Sequence, residues 1–138
     1  MTKEEMVIDL LSKSEEYFIQ VQGEADWSDG WKISIQGHNL DDTLYLMERL
    51  VILTQATKCS FKLGTQKLID LNNEQSTKLF TIYIPNGVDP VSFAELVRLN
   101  IPDYTGAHDI LEKKSYTRYA AGIFYRNDRT EAGVYIPA

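Results

Sequence analysis

The sequence predicts an α+β domain with an antiparallel-rich central sheet and helices packed on it. Segment 79–85, LFTIYIP, is dense in β-branched and aromatic residues and ends in proline, as strands often do. Segment 30–37, GWKISIQG, alternates apolar and polar residues, the pattern of a strand with one buried face. Segment 39–57 repeats apolar residues at helical spacing. Helical and extended segments alternate irregularly along the chain, which favours an α+β architecture.

Three helices are predicted from their N-terminal caps. Thr2 followed by Glu5 forms a capping-box pattern at the start of the first helix. Asn39 can cap the second helix. Asp89 followed by Pro90 places a cap and a proline at the start of the third. We expect these helices at about 3–14, 39–57 and 89–99.

Strands are predicted where β-branched and aromatic residues cluster. A first short strand is expected around 17–21. The sheet should then be built from segments near 31–36, 59–63, 79–84, 116–125 and 133–136. The apolar sides of these elements predict a core of Trp31, Ile33, Leu44, Met47, Leu50, Val51, Phe61, Phe80, Ile82 and Ile84.

Length and charge limit the function classes. A chain of 138 residues without repeat or linker is expected to form one domain over 1–138. The net charge of −6 argues against general nucleic-acid binding, which needs a concentrated basic face. The 14 Lys and Arg residues still leave room for a small anion site.

The sequence carries no sign of export or membrane insertion. The N-terminal stretch MTKEEMVIDLL has two glutamates before its apolar residues and lacks a cleavage site for a signal peptide. No apolar run approaches the roughly 20 residues that a membrane span needs. The single cysteine, Cys59, excludes an internal disulfide and a cysteine-based zinc site. We therefore expect a cytoplasmic protein.

Four polar residues on predicted strands are candidates for a site. Lys32, Lys62, Tyr83 and Arg118 each lie on the polar side of a strand, so neighbouring strands would turn them toward one cleft. Several converging cations can bind a phosphate. The alternative is that each residue is solvated on its own. Glycine-rich phosphate loops and histidine-rich metal spacings are absent, and no metal or cofactor is predicted.

The order of four motifs resembles a known family. GWKIS (30–34), SFKLG (60–64), LNNEQSTKLFTIYI (71–84) and SYTRYAAG (115–122) are similar to the N-terminal lyase domain of class III and class IV lanthipeptide synthetases. They resemble, more distantly, the phosphothreonine lyase effectors of bacterial pathogens. The resemblance covers residues 28–125 and implies a phosphothreonine-lyase-like fold. The kinase and cyclase domains of a synthetase have no counterpart here, so a stand-alone version is expected.

The family's chemistry is β-elimination of phosphate from phosphoserine or phosphothreonine, without a cofactor. By position, the resemblance implies that Lys62 is the base that removes the α-proton. It implies that Lys32 and Arg118 hold the phosphate and that Tyr83 is a site tyrosine. Positive groups around a lysine lower its pKa and stabilise both the enolate and the departing phosphate.

One match fails, because the family's proton-donating histidine falls on Ser34. A serine hydroxyl cannot replace imidazole as a general acid near neutral pH. Such catalysis is worth roughly 10²–10⁴-fold, so elimination should be impaired. An arginine that the family has shortly before the strand of Tyr83 is also not evident in 72–78.

The sequence thus predicts a phosphate- or phosphopeptide-binding protein, with Ser34 beside the ligand. It would act as an inhibitor or sequestering factor, for which a phage or mobile element is a plausible source. Its partner would be a phosphorylated peptide or protein, or another small phosphate-bearing ligand. Two alternatives stay open: an active phosphoserine/phosphothreonine lyase, and a protein-interaction domain with a vestigial pocket.

Overall fold

The fold is built around one antiparallel sheet. The computed structural model describes residues 1–106 and 116–129. Within them six strands pair in the order β1-β3-β4-β2-β6-β5. The strands are β1 (Phe18–Val21), β2 (Trp31–Gln36), β3 (Phe61–Gly64), β4 (Lys78–Tyr83), β5 (Thr117–Ala120) and β6 (Ile123–Asn127). The helices are α1 (Lys3–Lys13), α2 (Leu40–Thr57), α3 (Gln66–Asp70) and α4 (Pro90–Asn100), with a 3₁₀ turn over Glu74–Thr77. The predicted α+β class is confirmed.

The three predicted helix caps are formed. The side chains of Thr2, Asn39 and Asp89 each accept a hydrogen bond from a backbone N–H in the first turn of the helix that follows. These bonds satisfy backbone donors that a helix start otherwise leaves without a partner. The three caps fix where α1, α2 and α4 begin, and the predicted helices are confirmed to within one residue at each start.

One face of the sheet carries the apolar core. Ile33 and Ile35 of β2 lie opposite Ile82 and Phe80 of β4, and all four are buried. Helices α1, α2 and α4 pack on this face through Leu11, Leu46, Leu50, Leu53, Phe93, Ala94 and Val97. The alternation of GWKISIQG therefore faces as predicted, with its isoleucines toward the helices.

The predicted core is wrong at Val51. Its side chain is 40% exposed, because α2 turns Leu46, Leu50 and Leu53 toward the sheet and Val51 away from it. Apolar residues surround more of α2 than the sheet can cover, so spacing alone does not select the buried side. Four further predicted residues are half-buried: Leu44, and the three that pack against the core, Trp31, Met47 and Phe61.

The segment predicted as one strand near 116–125 is a hairpin. Strand β5 ends at Ala120, the chain turns through Gly122, and β6 returns antiparallel from Ile123. Gly122 has a φ of 75°, a conformation that glycine adopts without the cost of a side chain. The predicted strand near 133–136 lies outside the described residues. The described helices include none that is long and apolar enough to cross a membrane.

We expect Ile82→Ala to lower the free energy of unfolding by about 2–5 kcal/mol, since it empties space in a packed core. Val51→Ala is the matched control, because its side chain is largely outside the core; it should cost less than about 1 kcal/mol. Urea denaturation measures both. Equal losses for the two variants would contradict the assigned core.

Candidate anion site

The face of the sheet opposite the helices is polar and yet buried. Lys32, Ser34 and Gln36 of β2 are each no more than 1% exposed. A strand that alternates in this way normally keeps its polar side in water. Here both sides of β2 are covered, so its polar residues depend on protein partners.

Sheet register brings the predicted lysines to this face. Lys62 of β3 lies opposite Thr81 of β4, and Thr81 lies opposite Ser34 of β2. In the next row, Tyr83 lies opposite Lys32. Directly opposed residues in a ladder point to the same side of a sheet. Lys32, Ser34, Lys62 and Tyr83 therefore share one face.

A buried carboxylate joins two cations on neighbouring strands. Lys32 pairs across the ladder with Arg126 of β6, and Asp128 follows this strand. The Nζ atom of Lys32 is 3.1 Å from Oδ2 of Asp128. The Nε atom of Arg126 is 3.3 Å from Oδ1, a close charge contact whose angle does not make it a hydrogen bond. Asp128 thus balances part of the positive charge on this face.

A second buried lysine reaches this face because the sheet is irregular. The register between β2 and β4 shifts after Ile35, so that Gln36 pairs with Lys78 rather than Leu79. A bulge of this kind redirects a side chain. Lys78 is 1% exposed, and its Nζ donates a hydrogen bond to Oε1 of Gln75 at 3.1 Å.

Tyr116 lies at the centre of these charges. Its side chain is buried, and its ring centroid is 5.7 Å from Nζ of Lys32 and 5.5 Å from Nζ of Lys78. The guanidinium carbon of Arg126 is also 5.5 Å from it. Ser34 Oγ donates a hydrogen bond of 3.4 Å to the Tyr116 hydroxyl. We call Lys32, Lys62, Lys78, Arg126, Tyr116 and Asp128 the cationic cluster.

The pKa values of Lys62 and Lys78 are shifted by their surroundings. Burial, followed by repulsion from Lys78 and Lys32, lowers the pKa of Lys62 to about 8, although Asp128 opposes the shift. Burial also lowers the pKa of Lys78, while attraction to Tyr116 works against it. A lysine with a lowered pKa is neutral in a larger fraction of molecules and so becomes a better base.

The pKa of the Tyr116 hydroxyl is shifted in the opposite direction from that of an ordinary buried phenol. Burial acts to raise its pKa, but the positive charges of Lys32 and Lys78 and the hydrogen bonds of the site together lower it. Hydrogen bonds with Ser34 and Lys78 act in the same direction. The surroundings of Tyr116 thus favour negative charge at its oxygen.

Of the predicted site residues, Tyr83 and Lys62 lie close together, whereas Arg118 lies apart from them. Tyr83 stacks on Trp27 with centroids 4.4 Å apart, and Lys62 Nζ is 5.9 Å from the Tyr83 ring. Arg118 is exposed on the edge strand β5, where it pairs with Phe124. This register puts Arg118 on the polar face, but β6 lies between its strand and β2. The arginine that lies directly opposite Lys32 in the sheet is Arg126 of β6, not Arg118.

Four members of the cluster were not among the predicted site residues: Lys78, Arg126, Tyr116 and Asp128. Arg126 had a usable signal, because the two-residue period of the strand IFYRN puts it on the face opposite Ile123 and Tyr125 once the hairpin is recognised. Lys78 had none, since its direction follows from an irregular register. Among the described residues, no three His, Cys, Asp or Glu side chains lie close enough to hold a metal ion.

Several solved structures with this fold are named as phosphothreonine lyases. The type III effector and phosphothreonine lyase OspF from Shigella flexneri matches with a TM-score of 0.61 and 13% identity, covering 93% of this chain and 77% of that chain. The fold is that of the phosphothreonine lyases. A variant of the Salmonella plasmid virulence C protein, SpvC, matches with a TM-score of 0.59 and 15% identity over 86% of this chain. This chain spans 64% of the length of that SpvC variant.

A third structure, the phosphothreonine lyase effector VirA (SpvC) from Chromobacterium violaceum, has a TM-score of 0.57 and 15% identity, covering 89% of this chain and 69% of its own. No family model and no curated protein matches this sequence. The likeness is therefore one of fold. The similarity to lanthipeptide synthetase lyase domains stays a prediction.

The lowered pKa of Lys62 predicts how stability depends on pH. Between about pH 8 and the usual lysine pKa of 10.5, an unfolded chain binds more protons at this residue than the folded chain. Stability should therefore rise with pH across this window. We expect Lys62→Met to reduce that rise, and Lys3→Met, at an exposed site on α1, to leave it unchanged. Urea denaturation at several pH values from 7.5 to 10.5 measures the slopes. Parallel wild-type and Lys62→Met curves would refute the shift.

Proposed function

We propose that this protein binds a phosphorylated peptide or protein through the cationic cluster and has impaired elimination activity. The observation that carries the proposal is the convergence of Lys32, Lys62, Lys78 and Arg126 on one buried face, where the cluster includes a single carboxylate, Asp128. The phosphothreonine lyase fold supports a phosphate group as the ligand. Such a protein would act as an inhibitor of its partner or as a sequestering factor.

Charge energetics favour an anionic ligand here. Removing an ammonium group from water costs several kcal/mol unless a charged or hydrogen-bonding partner compensates. Asp128 compensates Lys32 and Arg126, and the pKa values of Lys62 and Lys78 are lowered instead. A phosphate beside these lysines would favour their charged forms and form strong charge-assisted hydrogen bonds. The cluster is thus suited to hold a phosphate.

The residues around Ser34 support impaired catalysis. Its hydroxyl is buried and donates a hydrogen bond to the Tyr116 hydroxyl, and a serine hydroxyl is too weak an acid to protonate a leaving phosphate near neutral pH. His38, the imidazole among the described residues, is exposed beyond the end of β2. Its backbone N–H donates to Asp42 at the start of α2. Among the residues that the structure describes, the cluster therefore has no histidine to act as the acid.

The second candidate is an active phosphoserine/phosphothreonine lyase, which the pKa of Lys62 favours. With a pKa of about 8, Lys62 is partly neutral at physiological pH and can accept a proton from the α-carbon of a substrate. The nearby charges of Lys32 and Lys78 would stabilise the enolate and the phosphate that leaves. In this candidate Lys62 is the base and Tyr83 a neighbouring site residue.

Binding should depend on cations of the polar face. We expect a phosphothreonine peptide to bind the wild type more tightly than the unphosphorylated peptide, measured by titration calorimetry. Lys62→Ala should weaken binding by about 1.5–3 kcal/mol if it removes one hydrogen bond to the phosphate. Arg118→Ala should weaken binding less, because β6 lies between the strand of Arg118 and β2. Arg98→Ala is the control, because Arg98 is exposed on α4, which packs on the opposite face. If neither Lys62→Ala nor Arg118→Ala changes partner binding, the protein acts through another surface and the pocket is vestigial.

Ser34→His distinguishes impaired binding from impaired chemistry. We expect this variant to release phosphate from the phosphopeptide faster than the wild type, with nearly unchanged affinity, because an added acid acts on the leaving group in the transition state. Mass spectrometry of the peptide detects the loss of phosphoric acid. Ser34→Ala is the matched control and should release no more than the wild type. Rapid release by the wild type would instead establish the lyase, and no gain in Ser34→His would refute the role assigned to position 34.

A further inference from the structure

Thr81 has a buried hydroxyl without a hydrogen bond. The residue is fully buried, and its Oγ1 has no hydrogen-bond partner among the residues that the structure describes. Buried hydroxyls are usually paired, and an unpaired one costs about 1–3 kcal/mol. The position therefore carries an energetic cost that a threonine-sized apolar residue would avoid.

The hydroxyl belongs to the face that holds the cationic cluster. Thr81 lies in β4, directly between Lys62 of β3 and Ser34 of β2 in the same row of the sheet. Its neighbours on the other face, Phe80 and Ile82, are in the apolar core. The Ser34 hydroxyl is already bonded to Tyr116. In this row, Thr81 thus retains a hydroxyl donor beside the lysines.

We propose that the hydroxyl of Thr81 donates a hydrogen bond to the phosphate of the bound ligand and places that phosphate over β4, between Lys62 and Lys32. This inference rests on the proposed function. Adjacent strands are about 4.8 Å apart, so the side chains of three neighbouring strands can reach a single phosphate. The lysines supply charge, and Thr81 supplies a short donor with a fixed direction.

A donor at this position also selects the class of anion. A phosphate monoester has three terminal oxygens, so it can accept from Lys62, Thr81 and Lys32 at the same time. A carboxylate has two oxygens and satisfies fewer of these donors. The site should therefore prefer a phosphothreonine peptide to the same peptide with glutamate in place of phosphothreonine.

The test is Thr81→Val, which removes the hydroxyl and keeps the branched shape. Thr43→Val is a matched control, because Thr43 of α2 is also fully buried and its Oγ1 has no hydrogen-bond partner in the described part of the chain. Both variants should be at least as stable as the wild type in urea, because each removes an unsatisfied hydroxyl. Binding of the phosphothreonine peptide and of inorganic phosphate is measured by titration calorimetry.

We expect Thr81→Val to raise the Kd for the phosphothreonine peptide about tenfold or more, the effect of losing one hydrogen bond to a charged group. Thr43→Val should leave the Kd unchanged, and Thr81→Ser, which retains the hydroxyl, should bind much as the wild type does. The glutamate peptide should bind more weakly than the phosphothreonine peptide and lose less affinity in Thr81→Val.

A wild-type Kd for Thr81→Val would overturn the role of Thr81 and leave the proposed function standing. Equal losses in Thr81→Ser and Thr81→Val would also overturn it, because shape rather than the hydroxyl would then matter. If the wild type binds neither the phosphopeptide nor inorganic phosphate, the proposed function and this inference both fail. Should Thr81→Val not fold, comparison of Thr81→Ser with Thr81→Ala makes the same decision.

Discussion

The ion pair between Lys32 and Asp128 is the contact on which the polar face depends. Asp128 also touches Arg126, so a single carboxylate separates two buried cations that lie side by side in the ladder. Removing one partner of a buried ion pair typically costs about 3–5 kcal/mol, because the other charge stays behind. With Lys32 and Arg126 compensated in this way, the remaining positive charge of the cluster falls on Lys62 and Lys78, whose pKa values are lowered.

The two faces of the sheet contribute in opposite senses to stability. On the apolar face, α1, α2 and α4 cover Ile33 and Ile82, and burial of this surface stabilises the fold. The polar face gathers like charges and an unpaired hydroxyl, both of which cost stability. Proteins tolerate such features where they serve a ligand. The free energy gained by burial on the apolar face thus offsets the cost of the like charges and the buried hydroxyl on the polar face.

Local patterns predicted most of the fold and some of the residues that the fold brings together in the candidate site. Caps at Asn39 and Asp89 and the alternation of β2 follow from a few neighbouring residues, so the sequence alone identifies them. Spacing did not show which side of α2 faces the sheet, and Val51 was misplaced for that reason. The prediction of one strand near 116–125 missed the turn at Gly122, and with it the separate strand that carries Arg126. Lys78 reaches the cluster through a shift of register between β2 and β4, a property of the paired strands that no single segment contains.

Residues on both faces of strand β2 fix its register in the sheet. When one face of a strand is in solvent, only the apolar residues of the other face fix its register. A slip by one residue is then penalised only because those apolar residues leave the core. In β2 the same slip would carry Lys32 into the apolar core and Ile33 into the cluster, and both errors would be penalised. Inserting or deleting one residue within β2 would therefore disrupt both the apolar core and the cationic cluster. The length of β2 is thus set by the packing on both of its faces.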